Sequence, residues 1–143
     1  MVRHHLHHFL FFVLFLVLIG VDQYSKELVS HFSEPIGWEY FTIEYTVNTG
    51  AGFGILQGQN QLLIFVSIIA LGVIGYYYWM VNDTLARFWL TLVGSGTLGN
   101  LVSRIEYGSV QDFIRIWVWP NFNIADMVIV IGGIGLVWYL RDT

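Results

Sequence analysis

The sequence predicts an integral membrane protein that is mainly α: a four-transmembrane-helix bundle with a small β region between the first two helices. Three observations lead there. Of 143 residues, 56% are hydrophobic and only 11% charged, with a mean hydropathy of +0.64, whereas a water-soluble domain carries about 25% charged residues. Four apolar runs, at about 6–21, 62–81, 88–102 and 125–140, are separated by polar segments. Between the first two runs, a stretch at about 36–56 alternates with the period of a strand. So much apolar surface also excludes a disordered chain. Six Lys/Arg against ten Asp/Glu, a net charge of −4, argue against a nucleic-acid partner. With no cysteine, thiol chemistry and Cys-ligated metals are excluded. Residues 1–143 therefore read as a single membrane domain.

Helix one begins after Arg3, but no small-x-small cleavage site follows its apolar run, so it is a retained anchor rather than a cleaved leader. His4, His5, His7 and His8 form a polar, partly protonated flank; nothing near them completes a metal site. At its other end Asp22 and Lys26 are four apart and face each other as an ion pair, with Lys26 expected to snorkel to the interface.

In the next segment Phe41, Ile43, Tyr45 and Val47 alternate with Thr42, Glu44 and Thr46, the pattern of a half-buried strand. Pro35 and Gly37 punctuate its approach, and the glycines of Asn48-Thr49-Gly50-Ala51-Gly52-Phe53-Gly54 force a turn with exposed backbone. A small sheet on the outer membrane surface is expected here.

Helix two has the length of a bilayer crossing, while the other three runs, at about 15 or 16 residues, need their polar flanks or a thinned bilayer. Tyr76, Tyr77, Tyr78 and Trp79 end helix two, and Trp138 and Tyr139 end helix four, as interfacial aromatics. Gly72, Gly75, Ser95, Gly99, Gly132, Gly133 and Gly135 suit close helix packing in lipid. Gly94-Ser95-Gly96 is not a serine-protease motif, because Val93 stands where its first glycine belongs and no later helix holds a histidine. Four crossings put both termini on one side. Arg3, Arg87 and Arg141 there balance Lys26, Arg104 and Arg115 opposite, so basic charge leaves the orientation open.

Ionisable groups at membrane depth are expensive and point to function. Asp112 lies in an otherwise apolar segment past helix three, and Asp126 at the entrance to helix four; the link between them is long enough to fold back and bring the carboxylates together. Two carboxylates so close share one proton. The charged one then takes a proton from water while the neutral one polarises a carbonyl or protonates a leaving amine, chemistry that needs no metal or cofactor. Each also has a structural role open to it: Asp126 at N3 of a helix capped by Asn123, and Asp112 in an ion pair with Arg104 or Arg115. Asn48, Asn100 and Asn123 are either helix glue or substrate hydrogen-bonders, and Arg104 shares a helix face with Asn100.

Together the motifs resemble the lipoprotein signal peptidase (signal peptidase II) family of bacterial membrane aspartic proteases. Asp22-Gln23-Tyr-Ser-Lys26, Asn48-Thr49-Gly50-Ala51-Gly52-Phe53, Gly99-Asn100 with Arg104, Gly108, Val110 and Asp112-Phe113, and Phe122-Asn123-Ile-Ala125-Asp126 occur in the family's order over nearly the whole chain. The resemblance implies that Asp112 and Asp126 are catalytic. It places Asn48, Gly50, Asn100, Arg104 and Asn123 against the substrate, with Asp22 and Lys26 in support. It also implies a diacylglyceryl-modified prolipoprotein as substrate, cut on the amino side of the lipidated cysteine, and an enzyme of the bacterial cytoplasmic membrane with both termini cytoplasmic and membrane lipids around it. A four-helix bundle with one site needs no partner subunit. The chain departs from the family at Ser103, where an aspartate is usual, which predicts an Arg104 freed to pair with Asp112; Gly52 stands in place of alanine. The competing readings are a catalytically impaired relative that still binds lipidated signal peptides, and a small proton or ion transporter subunit, which the lack of an internal repeat disfavours.

Overall fold

The computed structural model describes residues 2–51 and 55–141. It is mainly helical: α1 (Val2–Ser30), α2 (Asn60–Met80), α3 (Thr84–Tyr107) and α4 (Ile124–Arg141), with strands β1 (Ile36–Trp38), β2 (Phe41–Asn48) and β3 (Val110–Ile116) in one antiparallel sheet of order β1-β2-β3. Three helical stretches, Leu6–Ser30, Asn60–Met80 and Ile124–Arg141, are long and apolar enough to cross a membrane.

α3 is as long as these but more polar, because it is the inner helix against which α1, α2 and α4 all pack. Asp83 caps its start by accepting from the Ala86 N–H at 2.9 Å, and Gly108 ends it in the left-handed region (φ 71°). Its small residues set the spacing to α4. A side chain on Gly96 would meet the Ala125 carbonyl, and one on Gly135 would run into the Trp89 ring. Gly99 and Gly132 are similarly tight, but Gly72, Gly75 and Gly133 face open space, so the packing expected of those three does not occur.

The molecule encloses many polar side chains beside its apolar core and exposes apolar ones. Phe65, Ile68, Val130, Ile134 and Val137 are exposed, while Asp22, Lys26, Asn100, Ser103, Asp112 and Asn123 are buried. β2 is the half-buried strand that its alternation predicted, with its polar side the more enclosed. Its polar side chains turn inward, with Thr42 buried, and Tyr45 and Val47 are 41% and 53% exposed. Polar groups gain by pairing inside, whereas apolar ones lose nothing by facing lipid.

Two helices are longer than their apolar runs. α1 continues past Val21 to Ser30, because Asp22 and Lys26 find partners inside the bundle, and α3 runs from Thr84 to Tyr107. The segment after α3 is a strand, which the sequence had not signalled. β3 pairs with β2 through Thr46↔Asp112 and Asn48↔Val110, with an irregularity between Ile43 and Thr46. Trp117, at φ 47°, then reverses the chain, and Phe122 exchanges hydrogen bonds with Ile114 at 2.8 and 3.0 Å.

Candidate active site

The site is built where five elements converge, α1, β2, α3, β3 and α4, at the end of the bundle away from the termini. The fold-back after β3 does the decisive work. By pinning Phe122 beside Ile114, it starts α4 against the strand that carries Asp112. Asn123 then caps α4: its Oδ1 accepts from the Asp126 N–H at 2.9 Å, and the Asp126 Oδ2 accepts from the Asn123 N–H at 3.2 Å. This reciprocal capping holds the Asp126 carboxyl at the helix start, where the helix dipole favours a negative group.

The same Asn123 reaches both aspartates. Its side-chain amide donates to Asp112 Oδ1 at 2.7 Å and to Asn100 Oδ1 at 3.1 Å, and Asn100 donates to Asp126 Oδ1 at 2.7 Å. Asn48, at the end of β2, donates to the other Asp112 oxygen at 2.8 Å, while its own Oδ1 accepts from the Gly50 N–H at 2.9 Å. Gly50 is required there, since any side chain would strike the Ile55 carbonyl. Burial pushes Asp112 up to about 6, the neighbouring Asp126 charge adds to the rise, and the amides of Asn48 and Asn123 oppose it.

A second layer supports the first. The buried Lys26 ammonium donates to Asp22 Oδ2 at 2.7 Å and to Asn100 Oδ1 and Ser103 Oγ, both at 3.1 Å, so its three protons are all engaged. Asp22 Oδ1 accepts from the Ala125 N–H at 2.9 Å, tying α1 to the first turn of α4. The ion pair predicted from spacing is present, but Lys26 does not snorkel: it is 3% exposed and points into the protein.

Arg104 corrects another expectation. It donates to the Gly50 carbonyl at 3.1 Å and the Asn100 carbonyl at 3.5 Å, and forms no ion pair with Asp112. Arg115 is not Asp112's partner either, since it lies against Glu44 at 3.4 Å. Ser103, fully buried, accepts from Lys26 and Gln23 and donates to the Gly99 carbonyl at 3.2 Å, so no donor around it is left loose.

All of Asp22, Lys26, Asn48, Gly50, Asn100, Arg104, Asp112, Asn123 and Asp126 thus fall in one hydrogen-bonded cluster. Gly52 and Phe53, expected in the cradle loop, lie outside the described residues, as do the side chains of His4 and His5. Two contributors had been given no role. Gln23 links Asp22 to the Gly99 carbonyl, both at 2.9 Å, and Asn121 donates to Thr46 at 2.6 Å and to Glu44 at 3.2 Å, bracing the fold-back against β2. A polar side chain in so apolar a chain was the available signal for both.

The model of the family described as signal peptidase (SPase) II matches residues 14–141. The chain is similar to the lipoprotein signal peptidase of Moorella thermoacetica, 37% identical over 137 residues and covering 91% of each chain. It is also similar to that of Syntrophus aciditrophicus, 41% identical over 145 residues, covering 87% of this chain and 90% of the relative. A bacterial membrane enzyme solved by the in meso method at 2.3 Å superposes with a TM-score of 0.85 at 26% identity, over 92% of this chain and 87% of that one. A second, at 1.9 Å, gives 0.81 at 26% identity over 93% and 94%.

Proposed function

This chain belongs to the signal peptidase II family of membrane proteases, and we propose that it cuts diacylglyceryl-modified prolipoproteins on the amino side of the lipidated cysteine, with Asp112 and Asp126 activating water. The observation that carries the reading is the shared amide scaffold: Asn123 and Asn100 hold the two carboxyls of one buried site.

One carboxylate draws a proton from water as its oxygen attacks the scissile carbonyl carbon. The protonated partner donates to the carbonyl oxygen and, as the tetrahedral species collapses, a proton passes to the departing cysteine nitrogen. Charge supports a single shared proton. Three buried or half-buried carboxylates (Asp22, Asp112, Asp126) face two cations (Lys26, Arg104), so one proton on the pair neutralises a poorly solvated cluster. Asn48, Gly50, Arg104 and the remaining capacity of the amides line the position of the extended substrate backbone. What supports an active enzyme over a decayed one is that Ser103 leaves every partner of Lys26 in place.

On this reading the whole of 1–143 is one membrane domain with four crossings, α3 included. The sheet lies at the extracytoplasmic face of the bacterial cytoplasmic membrane, both termini are cytoplasmic, and a monomer is complete. The outward Tyr45, Val47 and Trp38 side chains then rest against lipid or the substrate's acyl chains.

The test incubates purified protein in detergent with one prolipoprotein in lipidated and unlipidated forms and weighs the products. A lipidated fragment beginning at the modified cysteine is expected, with no cleavage of the unlipidated form. A cut elsewhere, or equal cleavage of both, would contradict the assignment.

A further inference from the structure

β2 and β3 pair in one register as far as Ile43↔Ile114 and resume in another at Thr46↔Asp112, so Glu44 and Tyr45 together face the single residue Phe113. One extra residue on β2 makes this a β-bulge. Its consequence is a change of phase. Residues directly opposite share a face of the sheet, and so do Asp112 and Ile114, two apart on β3. Ile43 and Thr46 therefore lie on one face although they are three apart. Without the extra residue, Tyr45 and Val47 would stand on the Asp112 face. With it, Thr46 and Asn48 stand there, and Asn48 donates to Asp112 at 2.8 Å.

The fold-back before α4 fits around this bulge. The Phe113 N–H, opposite the extra residue, donates to the Phe122 carbonyl at 3.0 Å, which also accepts from the Ile114 N–H at 2.8 Å. One residue earlier, the Asn121 side-chain amide donates to Thr46 Oγ1 at 2.6 Å, just past the bulge, and to Glu44 Oε1 at 3.2 Å, within it. The same Glu44 oxygen accepts from Arg115 of β3 at 3.4 Å. Asn121 thus spans the extra residue, and it does so two positions before Asn123, which caps α4 and donates to Asp112. Such a hold is needed. The apolar alternation from Phe41 to Val47 is unbroken, so the side-chain pattern alone favours the regular register.

We propose that Asn121 is a positioning residue of the site: it locks the bulge at Glu44-Tyr45 and so keeps Asn48 turned to Asp112, without itself touching either catalytic carboxyl. Its effect on turnover rests on the peptidase reading above; its hold on the bulge does not.

The test reads amide hydrogen exchange and catalysis in the same variants of the full chain in detergent. Asn121→Leu removes both donors at similar size. Thr46→Val removes one acceptor with almost no change of shape, and serves if the first variant fails to fold. Each is expected to speed exchange across residues 44–48 about tenfold, the scale of one lost hydrogen bond, and to leave exchange in α2 unchanged. The kcat on lipidated prolipoprotein should fall about tenfold with KM little altered. The pH midpoint near 6 should rise, because the Asn48 amide that holds Asp112 down is then less well placed. Thr46→Ser, which keeps the hydroxyl, should behave as wild type in all three. Exchange at 44–48 as slow as wild type in both variants overturns the proposal. Faster exchange with kcat and the pH midpoint untouched overturns it too, by making Asn121 a brace and nothing more. A wild-type chain that leaves lipidated prolipoprotein uncut would refute the peptidase reading instead, and exchange would still decide whether Asn121 holds the bulge.

Discussion

Asp112 is the residue on which the proposed chemistry turns, and its environment makes a pH prediction. Burial, and then the Asp126 charge, raise it to about 6. A carboxyl raised in the folded state favours the fold at low pH, fully below its ordinary range near pH 4, and that contribution is lost as pH climbs through about 6. Catalysis follows the same direction, because losing the shared proton leaves two carboxylates and no acid. The kcat/KM of the free enzyme should fall about tenfold per pH unit above a midpoint near 6. Ser103→Asp sharpens the test. A carboxylate at that position would draw on the Lys26 charge that now offsets the pair, and should move the midpoint up by on the order of one unit. A pH profile unchanged by that substitution would mean that the layer behind the aspartates does not tune them.

Among the elements, the α3–α4 contact fixes the geometry, because Asn100 and Asp126 meet only if the two helices approach closely. Gly135 lies against the Trp89 ring, whereas Gly133, two residues earlier, faces open space. Gly135→Leu is therefore expected to destabilise by about 1–3 kcal/mol or more through overpacking. Gly133→Leu should be neutral or slightly stabilising, since leucine favours helix over glycine by roughly 1 kcal/mol. Thermal unfolding of the two variants in detergent checks this, and a similar Tm for both would refute the packing assignment. The pair also shows where the sequence was legible. Apolar runs located all four helices, because lipid selects for continuous hydrophobicity. They could not say which small residues lie at a contact, nor that α1 and α3 extend into polar sequence, because those turns are held by partners distant in the chain. β3 was hidden for the same reason: its residues read as an apolar stretch, and only the pairing with β2 makes it a strand.

At the scale of the molecule, the arrangement is a buried polar cluster beside an apolar core, inside an apolar coat, so polar residues in apolar sequence were the signal for the candidate site. Charged and amide side chains are few here, and the buried Asp22, Lys26, Asn100, Asp112 and Asn123 all find partners in the cluster, whereas Arg87 and Gln111, buried too, do not. What the list could not supply was pairing. Lys26 faces inward rather than to the interface, and Arg104 holds the Gly50 carbonyl rather than Asp112. The central claim is that Asp112 and Asp126 act as one unit. The most direct test is the turnover of lipidated prolipoprotein by Asp112→Asn, by Asp126→Asn and by the double variant, each first shown by its unfolding transition to be folded. The account predicts a loss of at least about a thousandfold in kcat for either single change, with little further loss in the double variant, since residues acting as a unit are not additive. Cleavage that survives either substitution at near wild-type rate would contradict it.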